Sequence, residues 1–323
     1  MNPVSFQPQA ESHLVNSVLG PISYETLGIT DAHNHLWIDF IPGAAPGSPV
    51  LNQKQVILHE LDFYRQAGGK TILDCQPGGC GRNGNHLAEL SQKSGIQIVA
   101  CTGFHRKIYY APDTKFWSWS TEDAVQYFLN ELSICLGETA AGPVSVKAGF
   151  IKIALEAEID ETPAPALEAA AIAAAESGAM IEIHTEKGAS ALEALAYFQN
   201  LGVRSRSIVL CHMDKRADMG LHRELAHSGV LLEYDTFYRP KYLPEQNVWP
   251  LIDKMLGEGL ETSLAFATDR TEPGMVVSMG KGSGLAGLPG DICHRLQQRG
   301  IQESVIRQLL GDNIARRLAG LNA

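Results

Sequence analysis

The stretch Ile29-Thr30-Asp31-Ala32-His33-Asn34-His35-Leu36-Trp37-Ile38 is an apolar run interrupted by two imidazoles two residues apart. On a strand, side chains at i and i+2 share a face, so His33 and His35 point the same way. Seven further runs follow: Thr71–Gln76, Ile96–Phe104, Gly149–Leu155, Met180–His184, Ser207–His212, Val230–Phe237 and Ser263–Asp269. Most are short and rich in Ile, Val, Leu or Thr, as strands buried in a parallel sheet should be. Between them lie Lys54–Gln66, His86–Lys93, Glu122–Leu136, Ala164–Ser177, Ala189–Asn200, Met219–His227 and Leu251–Gly257, all with helical periodicity. Glu303–Leu318 closes the series. Strand then helix, eight times, predicts an α/β chain folded as a single-domain (β/α)8 TIM barrel over residues 20–323, with an N-terminal extension at 1–19. A doubly wound sheet is the competing fold, but no GxGxxG follows the first strand.

Composition narrows the function. The chain has 323 residues, 45% of them hydrophobic and 19% charged, which suits a globular enzyme and not a disordered chain. At this length a core needs no disulfide or metal staple. The net charge is −10, so no broad basic field gathers nucleic-acid phosphates. No apolar run approaches a membrane span. The first residues lack the basic start and apolar core of a secretion signal. The six cysteines form no CxxC pair; they read as small buried hydrophobes in a reducing, cytoplasmic setting.

Polar residues mark the predicted strand ends. His33 and His35 lie on the first strand, His184 ends the fifth, His212 the sixth and Asp269 the eighth. Lys152 sits inside the apolar run Ala148-Gly149-Phe150-Ile151-Lys152-Ile153-Ala154. Taken singly, each has an ordinary explanation: a strand-end His is usually just a satisfied polar group, and a strand Lys can snorkel to water. Taken together, four His and one Asp converge on the C-terminal mouth, where barrel active sites are built. They form the ligand set of zinc or a similar borderline metal. A buried Lys152 ammonium beside such cations would be strongly disfavoured. Carbamylation by CO₂ would turn it into an anionic ligand able to bridge two metals.

These residues resemble the phosphotriesterase family of the amidohydrolase superfamily, over about Gly20 to Leu318. Further anchors are Gly20-Pro21-Ile22, Gly81-Arg82-Asn83, Ala100-Cys101-Thr102-Gly103-Phe104-His105, Glu182-Ile183-His184-Thr185, Cys211-His212-Met213-Asp214 and Thr268-Asp269. The resemblance implies two divalent ions, zinc first, with manganese or cobalt as alternatives. His33, His35 and Asp269 would hold the more buried ion, and His184 and His212 the more exposed one. A Lys152 carbamate and a hydroxide would bridge them, with Asp269 as proton shuttle. The family's usual acidic residue between the first two histidines is Asn34 here; that position is not a ligand. A homodimer is implied by the resemblance alone.

Substrate choice belongs to the loops after the first, third, seventh and eighth strands. Tyr109, Tyr110, Arg239, Lys241 and Arg270 would suit a small anionic substrate such as a phosphate-bearing molecule. A solvated loop paired to Glu245 and Glu272 is the plainer explanation. The segment Thr102-Gly103-Phe104-His105 with the tyrosines and tryptophans after it looks like the branch that hydrolyses phosphorylated sugar lactones. The expectation is a metal-dependent hydrolase of ester bonds that opens such a lactone. The alternative is an acyl lactonase or carboxylesterase with side activity on phosphotriesters, its aliphatic pocket built from Met275, Val276, Val277, Met279 and Leu285. A non-catalytic barrel that binds without turnover is a third reading, weakened by the complete ligand set.

Overall fold

A computed structural model describes residues 13–271, 273–279 and 282–321. Residues 1–12 of the expected extension, Glu272 and the Met279 side chain fall outside this description. Among the described residues, no helix is long and apolar enough to cross a membrane.

An antiparallel hairpin, β1 (Leu14–Ser17) and β2 (Gly20–Ser23), comes first, so the expected boundary at 19/20 falls in its turn. Val15 packs into the barrel interior, and the Val18 amide donates to the Ile98 carbonyl at 2.9 Å. The hairpin therefore docks on the barrel. Eight strands then alternate with helices: β3 (Thr30–Asn34), α1 (Lys54–Gln66), β4 (Thr71–Asp74), α2 (Gly84–Ser94), β5 (Gln97–Gly103), α3 (Thr121–Ser133), β6 (Phe150–Ala154), α4 (Ala164–Ser177), β7 (Ile181–His184), α5 (Ala191–Asn200), β8 (Ile208–Cys211), α6 (Met219–Ser228), β9 (Leu231–Tyr234), α7 (Val248–Gly257) and β10 (Leu264–Phe266). They pair in parallel in chain order from β3 to β10, which is the predicted barrel. The strands are shorter than the apolar runs because each run continues into its loop.

The period of two divides the two apolar layers. On β6, Ile151 and Ile153 join the layer between strands and helices with Ala166, Ala169 and Ala170 of α4. Phe150 points into the barrel with Leu73, Val99, Val209, Leu231 and Ala265. Lys152, two residues on, shares that inward face and is fully buried. The predicted last helix is in fact three pieces: α9 (Glu303–Arg307), a π turn at Gln308–Asp312, and α10 (Asn313–Leu318). Within the π turn, a Cβ on Gly311 would lie 2.2 Å from the Gly28 carbonyl. The backbones meet there, and only glycine permits it. A short α8 (Cys293–Gln298) also precedes α9.

The ends of the ladder are joined by Asp31 on β3. Its carboxylate accepts from the Thr268 amide (3.1 Å), the Thr268 hydroxyl (2.6 Å) and the Asn34 side-chain amide (2.8 Å). The Asp269 amide donates to the His33 carbonyl at 2.9 Å. Burial pushes the Asp31 carboxyl up to about 6 despite these donors. Replacing Asp31 by Ala strands buried donors, so Asp31→Ala should cost about 3 kcal/mol or more. A urea melt reads this directly; a loss below about 1 kcal/mol would show that Asp31 does not hold the seam.

Candidate metal centre

The predicted ligands converge at the C-terminal mouth. His33 Nε2 and His35 Nε2 lie 3.9 Å and 3.7 Å from Asp269 Oδ1, and these three residues form a group able to hold an ion. His184 Nδ1 and His212 Nε2 face each other at 2.8 Å. Lys152 Nζ lies 3.4 Å from His33 Nε2. Two of these positions carry left-handed backbone, His212 (φ 62) and Asp269 (φ 42). Such conformations in residues other than glycine cost about 1 kcal/mol or more and gather at functional sites.

The far side of each inner imidazole meets an acceptor. His35 Nδ1 lies 2.7 Å from Gln76 Oε1, and His212 Nδ1 lies 2.6 Å from Asp235 Oδ2. His33 Nδ1 lies 3.0 Å from Glu182 Oε1 and 2.9 Å from Glu233 Oε1. Acceptors at Nδ1 fix the tautomer and leave Nε2 bare toward the mouth, the arrangement a metal requires. Burial also lowers His35 to about 3 and His184 to about 4, and depresses His212, whereas at His33 burial is outweighed by the Glu233 and Glu182 carboxylates, which raise it. Neutral imidazole is the ligating form. The donor set therefore fits a metal, and the ions expected from sequence would find their ligands here.

Lys152 is balanced between burial and its acidic neighbours. Burial disfavours its charge, but the Cys211 sulfur and the carboxylates of Glu182 and Glu233 outweigh that and hold its proton. Glu182 Oε1 lies 3.3 Å from Nζ. The electrostatic cost read from the sequence thus belongs to the metal-loaded site alone. Asp269 is shaped by competing effects too: burial would raise it, but Arg239 and the imidazoles of His33 and His35 bring it to about 2.

The candidate substrate residues divide. Tyr109 is half-buried and lines a cleft of about 640 Å³ with His35, Gln76, His105 and Thr271. Lys241 is exposed, its ammonium 5.0 Å from the Tyr242 ring. The other three face inward. Tyr110 is 4% exposed, and its hydroxyl accepts from the His105 amide at 2.9 Å. Arg239 donates to Asp269 Oδ2 at 2.8 Å and also to the Asp269 carbonyl. Arg270 is 3% exposed, donates to the Met275 carbonyl at 2.6 Å and stacks on Tyr238 at 4.8 Å. Glu245, expected to pair with these loop cations, binds Arg295 instead.

Sequence reasoning missed Glu182, Glu233 and Asp235, which support the imidazoles from below. The signal was present: each is a carboxylate inside an apolar strand run, as Lys152 is a cation inside one. It also missed Lys215, whose charge acts on Asp269, His184 and His212. Replacing Asp235 with Asn should free the His212 ring and weaken metal binding about 10–100-fold. Equilibrium dialysis with zinc checks this; unchanged affinity would show that Asp235 does not orient the ligand.

Comparison with known proteins agrees with this geometry. The model of the phosphotriesterase family matches residues 13–318. A phospho-furanose lactonase of Mycoplasmopsis agalactiae is 32% identical over 257 residues, covering 73% of this chain and 70% of the relative. A second, from Mycoplasmopsis synoviae, is 29% identical over 96% of this chain and 92% of its own. Among solved structures, a lactonase from Listeria monocytogenes superposes with a TM-score of 0.85 at 24% identity, covering 94% of this chain and 98% of that one. An amidohydrolase from Mycoplasma synoviae superposes with a TM-score of 0.83 at 26% identity, covering 96% and 92%. The barrel, the histidine-rich mouth and the family match coincide, and the chain belongs to the phosphotriesterase family of hydrolases.

Proposed function

We propose that this hydrolase is a metal-dependent lactonase that opens a phosphorylated sugar lactone. The observation that carries the reading is the convergence of His33, His35, His184, His212, Lys152 and Asp269, with the imidazole Nε2 atoms of His33, His35 and His212 and Nδ1 of His184 turned into one mouth. These six residues would hold two divalent ions, Lys152 as its carbamate. When bound, such ions acidify a water and polarise the ester carbonyl.

The chain's own residues supply the rest. Asp269 is ionised at neutral pH and can take the proton of the attacking water. It then returns that proton to the ring oxygen as the acyl C–O bond breaks, so that lactone plus water gives the hydroxy acid. Arg239, bound to the same carboxylate, keeps Asp269 aimed. Its role is thus positioning, where the sequence suggested substrate binding.

The phosphate reading keeps Lys241 and adds Lys215, while Arg239 and Arg270 turn inward. Among the described residues, Lys215 and Lys241 make no ion pair with a carboxylate, and both ammonium groups face Tyr242, at 5.9 Å and 5.0 Å. Two unpaired cations around a phenol at the mouth suit a phosphate. The names of the two curated relatives support the same substrate class. An aliphatic pocket is also present, lined by Val50, Leu51, Val56, Ile57, Val276 and Leu285 beside His35. It keeps the acyl-lactone reading open.

Two substitutions test this. Asp269→Asn should lower kcat by about 10²–10⁴-fold with the fold intact by circular dichroism. A near-normal rate would mean that another base operates. The double change Lys215→Ala and Lys241→Ala should raise KM for a phosphorylated furanose lactone about 100-fold, and change the unphosphorylated analogue little. Equal effects on both substrates would reject the phosphate role.

A further inference from the structure

Glu60 lies in the middle of α1 and is 2% exposed, yet no basic side chain pairs with it among the described residues. Its carboxylate instead accepts three backbone amides of the segment after β10. Oε1 takes Val277 at 2.8 Å and Ser278 at 3.3 Å, and Oε2 takes Leu285 at 3.1 Å. A buried carboxylate costs several kcal/mol unless its lone pairs are filled, and here the main chain of one loop fills them. The same segment wraps Arg270, whose guanidinium donates to the Met275 carbonyl (2.6 Å) and the Ser283 hydroxyl (3.4 Å). Arg270 directly follows Asp269. The loop is thus folded between a fixed anion on α1 and a fixed cation at the strand end.

We propose that Glu60 is a positioning residue: it pins residues 275–279 and 282–285 to α1 and thereby sets the apolar wall beside His35 that would seat a lactone's acyl chain. Val276, next to the bound Val277 amide, and Leu285, whose own amide is bound, line the apolar pocket together with Val56 and Ile57 of α1. Release of the carboxylate separates the two walls without touching a metal-binding residue. The kinetic half of this inference rests on the acyl-lactone alternative above, not on the phosphorylated-sugar reading. The clamp itself does not.

Two variants strike the contact from opposite sides. Glu60→Gln keeps the shape but turns an amide NH₂ toward backbone donors. Gly284→Ala leaves α1 alone, but its Cβ would come within 2.2 Å of Glu60 Oε2, at a backbone φ of +59. In the full-length, zinc-loaded protein, hydrogen exchange by mass spectrometry should quicken about tenfold or more in peptides covering 275–285, and stay unchanged in β3–β6. With γ-nonalactone, KM should rise about tenfold while kcat holds within about twofold; γ-butyrolactone, with no chain to seat, should change little. Unchanged exchange in both variants would overturn the clamp, as would protection lost equally across the barrel. Equal KM changes for both lactones would overturn the role in selection. If the wild-type protein opens neither of these two lactones, the acyl-lactone alternative and the role in selection fail together, and the exchange measurement still decides the clamp.

Discussion

A parallel barrel must join its last strand to its first, and here that join depends on one buried carboxylate. Asp31 binds the amide and hydroxyl of Thr268, while Asn34 bridges to the same hydroxyl at 2.9 Å. Hydrogen bonds to an ionised acceptor are about twice as strong as neutral ones. In the dry interior they also set distances narrowly. Because Thr268 precedes Asp269 and Asp31 precedes His33, the join that closes the barrel also places the opposing ligands. Stability and site geometry therefore share the same atoms. Loss of a wall of the mouth could be tolerated; loss of the join could not.

A second buried charge system holds the barrel nearby. Arg82 donates to Glu131, Glu138 and the Cys101 carbonyl, and Thr102 donates to Glu131. It ties the loop after β4 to β5, α3 and the turn before β6. Such a network is costly to break because each partner would be left as an unpaired buried charge. Together with Glu60, it explains how long loops on an acidic chain stay fixed: they are folded around buried ion sites and not merely draped on the surface. The formal charge of −10 is an average. It does not describe the mouth, where the charge of Lys215 acts on His184 and His212.

Most of the barrel was legible, because burial on both faces makes each strand an apolar run and ends it with a polar residue. The six proposed ligands could be picked out because they fall together at the ends of these runs or inside one, where singly each has an ordinary explanation. Directions in loops were not. Nothing in the spacing of Tyr110, Arg239 and Arg270 says that a hydroxyl will meet the His105 amide or that both guanidinium groups will turn inward, because loops have no period. The β1–β2 hairpin was missed since Leu14–Ser17 is four residues long and half polar. The break in the last helix was hidden because Gln308–Asp312 keeps its apolar spacing. The contact of Gly311 with the Gly28 carbonyl, far away in sequence, forces the wider turn.

The join between Asp31 and Thr268 spans 237 residues. No stretch made early in synthesis contains both halves of the inner ligand set, since His33 and His35 emerge first and Asp269 near the end. A nascent or truncated chain lacking β10 can gather His184 and His212, but not the group that includes Asp269. On the proposed reading, the ligand group that includes Asp269 would be completed only by the finished barrel. By mass action, metal then adds its binding free energy to the native state and little to fragments. In a cell, the last strand would be the piece that completes this group: a ribosome-bound chain without β10 lacks the Asp269 oxygen that faces His33 and His35.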